Sequence, residues 1–409
     1  MKNEIINKRI KKINLLIIKH MKKIRVILFL ALSISILIGC EVKEDDGFRH
    51  VIAAIEEGKF LGWPANNGMW QWGEEILVGF TRGEHAERGG HNITGIEESW
   101  FTRSLDGGET WQMFKPDDFM DDDNIKWVPE EKNRLETPLN FRHEGFAMRV
   151  FATGYHGNDD PEGGFYYSYD RGATWEGPWY LGEIHEHGEF TGHRITARTD
   201  YIVTGEKEMY LFISARNEHV QRLACIRTRD GGISFEFVSW ITPAEYDVFV
   251  NTAMSSTVMI SDDTFINAYR KIYPALDNKE GNGVEVAISE DRGQTWKIMS
   301  TVKYFQSSSN PPALLKLEDG RLICIYGDRH NSRLSGKYSE DGGRTWGEEF
   351  VIRDDFNDGT SYWDFGYPVI LQRDDGKLIT IYYWASDNNQ QQHIAVTMFE
   401  APEYNPENL

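Results

Sequence analysis

Three cysteines in 409 residues, Cys40, Cys225 and Cys324, are too few for a disulfide framework. Two of them sit in apolar runs, LACIRT and RLICIYG, where a thiol behaves as a small buried hydrophobe, so no disulfide is expected. Positive charge is also scarce. Lys and Arg number 44 against 64 Asp and Glu, a formal net charge of −20. That balance argues against nucleic acid or an anionic membrane surface as the main partner. It leaves room for an anionic small substrate, because a local arginine cluster outweighs the global field at close range. An apolar run of membrane-spanning length is missing too: the N-terminal stretch holds about a dozen such residues where a span needs roughly 20. No phosphate loop, nucleophile elbow, nucleic-acid motif, low-complexity segment or inter-domain linker occurs in the chain.

What the chain has in quantity is turns and aromatic residues, with 38 glycines and 13 % Phe, Trp and Tyr, the profile of many short strands. One eight-residue pattern recurs five times: SLDGGETW from Ser104, SYDRGATW from Ser168, TRDGGISF from Thr228, SEDRGQTW from Ser289 and SEDGGRTW from Ser339. Its chemistry is that of a tight hairpin. The Asp carboxylate folds back onto turn N–H groups, a Gly takes the positive φ, and the closing aromatic pins the outgoing strand to the core. Five copies at intervals of 50 to 64 residues mark a repeat architecture. The pattern resembles the Asp-box (BNR) repeat of the sialidase-like superfamily, which implies a β-propeller with the boxes on outer hairpins, away from the catalytic pocket.

Each interval repeats one grammar of four strands. ALLKLEDGRLICIYGDR pairs two strands across an Asp-Gly turn, and SGKYSEDGGRTWGEEFVI supplies two more. After the fifth box, FGYPVILQRDDGKLITIYYW and HIAVTMF form a sixth unit without a box. The segment RHVIAAI at 49–55 is a spare strand that can complete it. The expected fold is therefore an all-β, six-bladed β-propeller over 49–409, its last blade closed by N- and C-terminal strands, with seven blades as the alternative. Ahead of it, 1–39 reads as a lipoprotein signal peptide and 40–48 as a surface tether. Basic Lys22, Lys23 and Arg25 precede the apolar stretch, which ends in LIGC. This resembles a bacterial lipobox with Cys40 as the lipidated residue, and the following EVKEDD resembles a surface-export signal of Bacteroidetes lipoproteins. A monomer anchored in the outer membrane and facing outward is the expectation, touching membrane only through its lipid.

A propeller binds ligands at the mouth of its axis, on inner strands and the loops that leave them. That rule selects Arg82, Arg198, Arg216, Arg270, Arg329 and Arg333, whose guanidinium forks suit a carboxylate or sulfate. The superfamily resemblance implies three arginines on a substrate carboxylate, a Tyr/Glu nucleophilic pair and an Asp acid. Arg270 in FINAYR, Arg333 or Arg329, and Tyr367 in DFGYPV match parts of that set. Gly62-Trp63-Pro64 stands where the first arginine belongs, and TAMSS (252–256) offers no glutamate. What remains near the expected mouth is histidine: His85, His91, His143 and His156. His and Tyr are the usual base and acid of β-elimination next to a uronate. The chain resembles, through GWPANNGMW, RHEGFAMRVFATGYHG and NPPALLKLEDGRL, the non-sialidase branch that acts on ulvan and rhamnoglucuronan. The expected function is accordingly a cell-surface lyase or dehydratase acting on an anionic oligosaccharide. His143, Tyr367 and His91 are its catalytic candidates, with Arg82, Glu144, Arg198, Arg216, Arg270, Asn310, Arg329 and Arg333 on the substrate. A sialidase-type hydrolase and a non-catalytic glycan-binding propeller are the alternatives. No cofactor is expected; His185, His187 and Glu189, or Asp159 and Asp160, offer only weak metal spacing.

Overall fold

The computed structural model describes residues 43–404, apart from 46, 89, 117–133, 152–162, 182–183, 185–186, 197, 219–220, 249, 274–280, 307–309 and 360–362. The leader, Cys40, His156, Asp159, Asp160 and His185 lie outside the described residues. Within them the chain forms six antiparallel sheets, the six blades. Blade 4 shows the plan: Asn251–Ser261, Thr264–Ile272, Gly283–Ser289 and Lys297–Tyr304 pair in sequence order. Blade 5 repeats it with Ala313–Lys316, Leu322–Asp328, Arg333–Ser339 and Phe350–Arg353. First strands of neighbouring blades contact one another, which puts them around the axis.

Blade 6 takes Gly366–Gln372, Leu378–Ser386 and Asn389–Phe399 from the C-terminal part and Phe48–Ala54 from the N-terminal part. The register runs Arg49↔Met398, Val51↔Val396 and Ala54↔Ile394, antiparallel. Val51, Ala53, Ala54, Ile394 and Val396 join one buried cluster, so the closing strand is held by side chains as well as by its ladder. This closure removes an open edge at the ring seam. The seven-blade alternative does not hold.

The boxes fold as their chemistry requires. Asp106 accepts hydrogen bonds from Ser104 Oγ (2.8 Å), Thr110 N (2.9 Å) and Thr110 Oγ1 (2.6 Å), while Ser104 Oγ accepts from Gly108 N (2.8 Å). Asp170, Asp230, Asp291 and Asp341 repeat the network. Partial burial pushes each box carboxyl upward, but these bonds hold it below the usual carboxylate range. In the two D-R-G boxes the position that Gly fills elsewhere is taken by Arg171 (φ 60°) and Arg292 (φ 58°).

The first strand is broken in two blades. Blade 1 splits it into Lys59–Gly62 and Met69–Trp72 around a helical turn at Pro64–Asn67; blade 3 splits it into Arg194–Thr196 and Tyr201–Val203. Blade 2 has three strands among the described residues, Ala147–Phe151, Gly164–Ser168 and Glu176–Tyr180. Its box follows Gly164–Ser168, so FAMRVF is a second strand rather than the inner strand expected from the sequence. Asn66 and Thr199, from blades 1 and 3, meet directly beside it through Thr199 N→Asn66 O (3.3 Å).

Candidate functional site

Strand direction defines the two ends of the molecule. Third strands run into the boxes, so first strands begin at the opposite end, and that end carries the mouth. Three non-glycine residues on or beside first strands adopt a left-handed backbone there: Trp63 (φ 57°), Met254 (φ 58°) and Tyr367 (φ 50°). Such a conformation costs bulky residues about 1–3 kcal/mol each and is retained where the surroundings over-determine it. Met254 and Tyr367 belong to one buried cluster and Trp63 packs against it, so three strained segments converge.

The device that holds Tyr367 is Asn310. Its Nδ2 donates to Phe365 O (2.9 Å), and its Oδ1 accepts from Tyr367 N (2.9 Å). A Cβ on Gly366 would come within 2.6 Å of the Asn310 side chain, and one on Gly327 within 3.0 Å. Two glycines thus make the slot, and Asn310, fully buried, fixes a backbone rather than facing a ligand.

Arg198 forms the floor. From the gap in blade 3 it donates to Met254 O in blade 4 (2.6 Å) and to Pro312 O ahead of blade 5 (2.9 Å). Its neighbour Thr199 bonds blade 1, so this segment lies at the axis. Burial lowers the Arg198 pKa to about 10, against the pull of Asp200. Asp200 accepts from Ser255 Oγ (2.8 Å), Thr257 Oγ1 (2.8 Å) and Thr257 N (3.1 Å), and burial raises its carboxyl to about 6.

Above the floor, Arg329 is 7 % exposed. Its guanidinium carbon lies 5.0 Å from the Trp363 ring centre and 5.9 Å from that of Tyr367. Its Nε and Nη2 are buried without a hydrogen-bond partner among the described residues. His91 completes the group. Its ring packs edge-on against Trp63 (5.0 Å) and tilted on Trp363 (5.2 Å), and its Nδ1 lies 2.6 Å from Asp364 Oδ1. Tyr383 OH donates to the same oxygen (2.7 Å), and its ring lies 5.9 Å from that of Tyr367. The structure therefore gathers His91, Tyr367, Arg329 and Asn310 at one place, together with Trp63, Trp363, Asp364 and Tyr383, which sequence reasoning did not name as site residues. Arg270 reaches the same neighbourhood through Nη1, 3.9 Å from Met254 Sδ. Arg216 ends the second strand of blade 3 at the mouth end, paired in register with Arg194.

Other expected residues are elsewhere or occupied. His143 and Glu144 are exposed and sit at the box end, where Arg171 N donates to Gly145 O (2.9 Å) and the His143 ring lies 4.5 Å from that of Tyr169. The sequence places His143 near the mouth, but Ala147–Phe151 is a second strand and so begins at the box end, and that placement is corrected. Arg82 is held by Glu56 (2.6 Å) and by Glu98, and stacks on Trp100 (4.8 Å). Arg333 pairs with Glu349 and lies 3.8 Å from Asp328. Arg82 and Arg333 are thus neutralised by carboxylates, and the donors of Arg198 are taken by backbone carbonyls, so of the six expected arginines these three are occupied by the fold itself. His85 ends the second strand of blade 1. His187 is exposed and stacks on Phe237 (4.7 Å), Glu189 is exposed, and no metal-holding group of side chains occurs among the described residues.

No curated protein matches the sequence. Among solved structures, the α-L-arabinofuranosidase of Fusarium graminearum complexed with arabinobiose is similar at a TM-score of 0.52 and 14 % identity, covering 84 % of this chain and 97 % of its own. The α-L-arabinanase of Penicillium chrysogenum complexed with arabinobiose is similar at 0.54 and 12 % identity, again covering 84 % and 97 %. At these identities the likeness is one of fold. Both are glycoside hydrolases by name, and neither is a uronate lyase. With His143 and Glu144 at the wrong end and three of the six arginines occupied, the expectation of elimination on a uronate is corrected. The BNR repeat-like domain matches residues 88–380, and with the Asp boxes and six blades above, the chain belongs to that family.

Proposed function

We propose that the protein is a glycoside hydrolase that binds an oligosaccharide at the mouth, over Arg329, Trp63 and Trp363. The observation that carries this reading is Arg329 itself. A buried donor without an acceptor costs about 1–3 kcal/mol, more when charged, and Arg329 leaves two nitrogens of one guanidinium in that state beside the aromatic side chains, where a ligand oxygen can supply the missing bonds. Aromatic walls with a few convergent polar groups are the usual lining of a small-ligand site. A sugar offers both an apolar C–H face for the tryptophans and hydroxyl or ring oxygens for the guanidinium. The fold likeness to an arabinofuranosidase and an arabinanase supports arabinose-containing oligosaccharides as the first class to try.

The experiment is turnover of arabino-oligosaccharides and a wider glycan panel by wild type and Arg329→Lys, followed as new reducing ends. Lysine keeps the charge but loses the fork, and a charge-assisted bond is worth about 1.5–3 kcal/mol. The expected result is cleavage by wild type and a drop in kcat/KM of about 10- to 100-fold in the variant. Unchanged kinetics in Arg329→Lys would show that the sugar binds elsewhere. Binding without cleavage would leave a glycan-binding propeller instead.

The leader supports a location outside the cell. Cys40 at the end of LIGC would carry the lipid of a monomer whose mouth meets external glycans. Cys40→Ser is expected to release the protein from the membrane fraction; an unchanged distribution and mass would remove the anchor.

A further inference from the structure

Asp364 is fully buried, and every bond to its carboxylate comes from the mouth group: Tyr383 OH (2.7 Å) and His91 Nδ1 (2.6 Å) on Oδ1, Asn92 N (2.8 Å) on Oδ2. A buried carboxylate is costly unless its lone pairs are used, and an apolar residue would fill the same volume without that cost. Burial and the neighbouring Asp364 raise the Tyr383 phenol well above its ordinary range, so it stays a donor. An acceptor-only carboxylate at Nδ1 requires that nitrogen to carry hydrogen, and in the neutral ring this assigns the lone pair to Nε2.

The ring is also fixed in direction. Trp63 and Trp363 flank it at 5.0 and 5.2 Å, yet the side chain remains 35 % exposed, and Nε2 makes no hydrogen bond among the described residues. Trp363 touches both Arg329 and His91, so the guanidinium and the imidazole share one aromatic neighbour. The carboxylate that orients His91 comes from 273 residues away, on the segment entering blade 6. An imidazole oriented by a buried carboxylate, with its other nitrogen open to a ligand, is the arrangement of a proton-transfer group.

We infer that His91 is the catalytic acid–base of the hydrolysis proposed above, and that Asp364 is the positioning residue that sets its tautomer and orientation; this rests on the hydrolase reading. In the imidazolium form, Nε2–H gives its proton to the glycosidic oxygen as the bond from that oxygen to the anomeric carbon breaks. The electron pair of that bond leaves on the oxygen. A water molecule then bonds to the anomeric carbon and returns one proton to Nε2. One water is consumed and the imidazolium is regenerated. Tyr367, 1 % exposed and clamped by Asn310, shapes the wall of the site instead.

The test uses the full chain and two independent readouts. With nitrogen-15 histidine, NMR of neutral His91 is expected to show hydrogen on Nδ1 and the lone pair on Nε2, and Asp364→Asn to mix the tautomers. Hydrogen on Nε2 in the wild type overturns the dyad whether or not the protein cleaves glycans. For turnover, His91→Ala and Asp364→Asn are each expected to lower kcat by about 10²–10⁴ with KM little changed. Added imidazole should restore part of the rate to His91→Ala and none to Asp364→Asn. Because Asp364→Asn alters a buried group, Tyr383→Phe serves as the second variant: it leaves Asp364 bonded to His91 and should keep the Nδ1–H tautomer. Wild-type kcat in His91→Ala overturns the inference and leaves the hydrolase reading standing. If wild type cleaves no glycan, that reading fails and the catalytic role fails with it, while the NMR result still decides the dyad.

Discussion

At the residue scale, burial acts differently on the charged groups of the axis. Arg329 keeps two nitrogens without a partner among the described residues, whereas Arg198 spends its own on carbonyls of two other blades and so holds the floor. Asp200, two residues along the same segment, has its carboxyl raised to about 6 from the ordinary 3.8, chiefly by burial and against Arg198 and the donors of Ser255 and Thr257. The native state therefore binds more protons than the unfolded chain between those two values. Stability contributed by this group falls as pH rises through that window and is level above it. Asp200→Asn keeps an acceptor for Thr257 N and removes the titration. The difference in melting temperature between variant and wild type should shift in the variant's favour from about pH 4 to about pH 6 and then stay constant. A difference that is flat with pH would show that Asp200 titrates normally. The box carboxyls work in the opposite direction, being lost as pH falls, which is why only the difference between the two proteins is informative.

At the element scale, the segment Phe365–Tyr367 shows how a strained strand entry is held. Asn310 bonds both ends of it from a slot lined by Gly327 and Gly366. Asn310→Ala leaves a buried N–H and a buried carbonyl unpaired, each worth about 1–3 kcal/mol, so a loss of about 2–5 kcal/mol is expected in denaturant unfolding, with weaker glycan cleavage from a displaced Tyr367 wall. A loss below about 1 kcal/mol would mean that Tyr367 keeps its conformation unaided. The boxes were legible in the sequence because the bonds of the Asp carboxylate and the Ser or Thr hydroxyl that shape each turn close within eight residues. The same locality explains what was not legible. Arg82 and Arg333 look like open loop cations until Glu56, Glu98 and Glu349 arrive from other segments of the chain. His143 was misassigned because FAMRVF alternates equally well as a first or a second strand, and only the pairing to Gly164–Ser168 distinguishes them. Gly62-Trp63-Pro64, TAMSS and DFGYP did carry a signal: each puts a bulky residue where a first strand turns, and all three prove left-handed.

At the scale of the whole molecule, the ring and its closure could be read from the spacing of the boxes and one spare strand, and His91 and Asn310 could be named as candidates, but the pairs they form could not. Their separations, 273 residues for His91 and Asp364 and 57 for Asn310 and Tyr367, are set by how blades meet at the axis. What the ring does is bring loops of blades 1, 5 and 6 over a floor supplied by blade 3, with two Arg329 nitrogens lacking a partner among the described residues beside Trp363 and Tyr367. The central claim is that this mouth hydrolyses a glycosidic bond. It is tested most directly by incubating the full chain with arabino-oligosaccharides and the glycan panel in heavy-oxygen water and weighing the fragments. Hydrolysis predicts one heavy oxygen at each new reducing end, produced by wild type and lost in parallel in Arg329→Lys and His91→Ala. Fragments that carry an unsaturated sugar and no heavy oxygen, or no cleavage of any glycan, would contradict it.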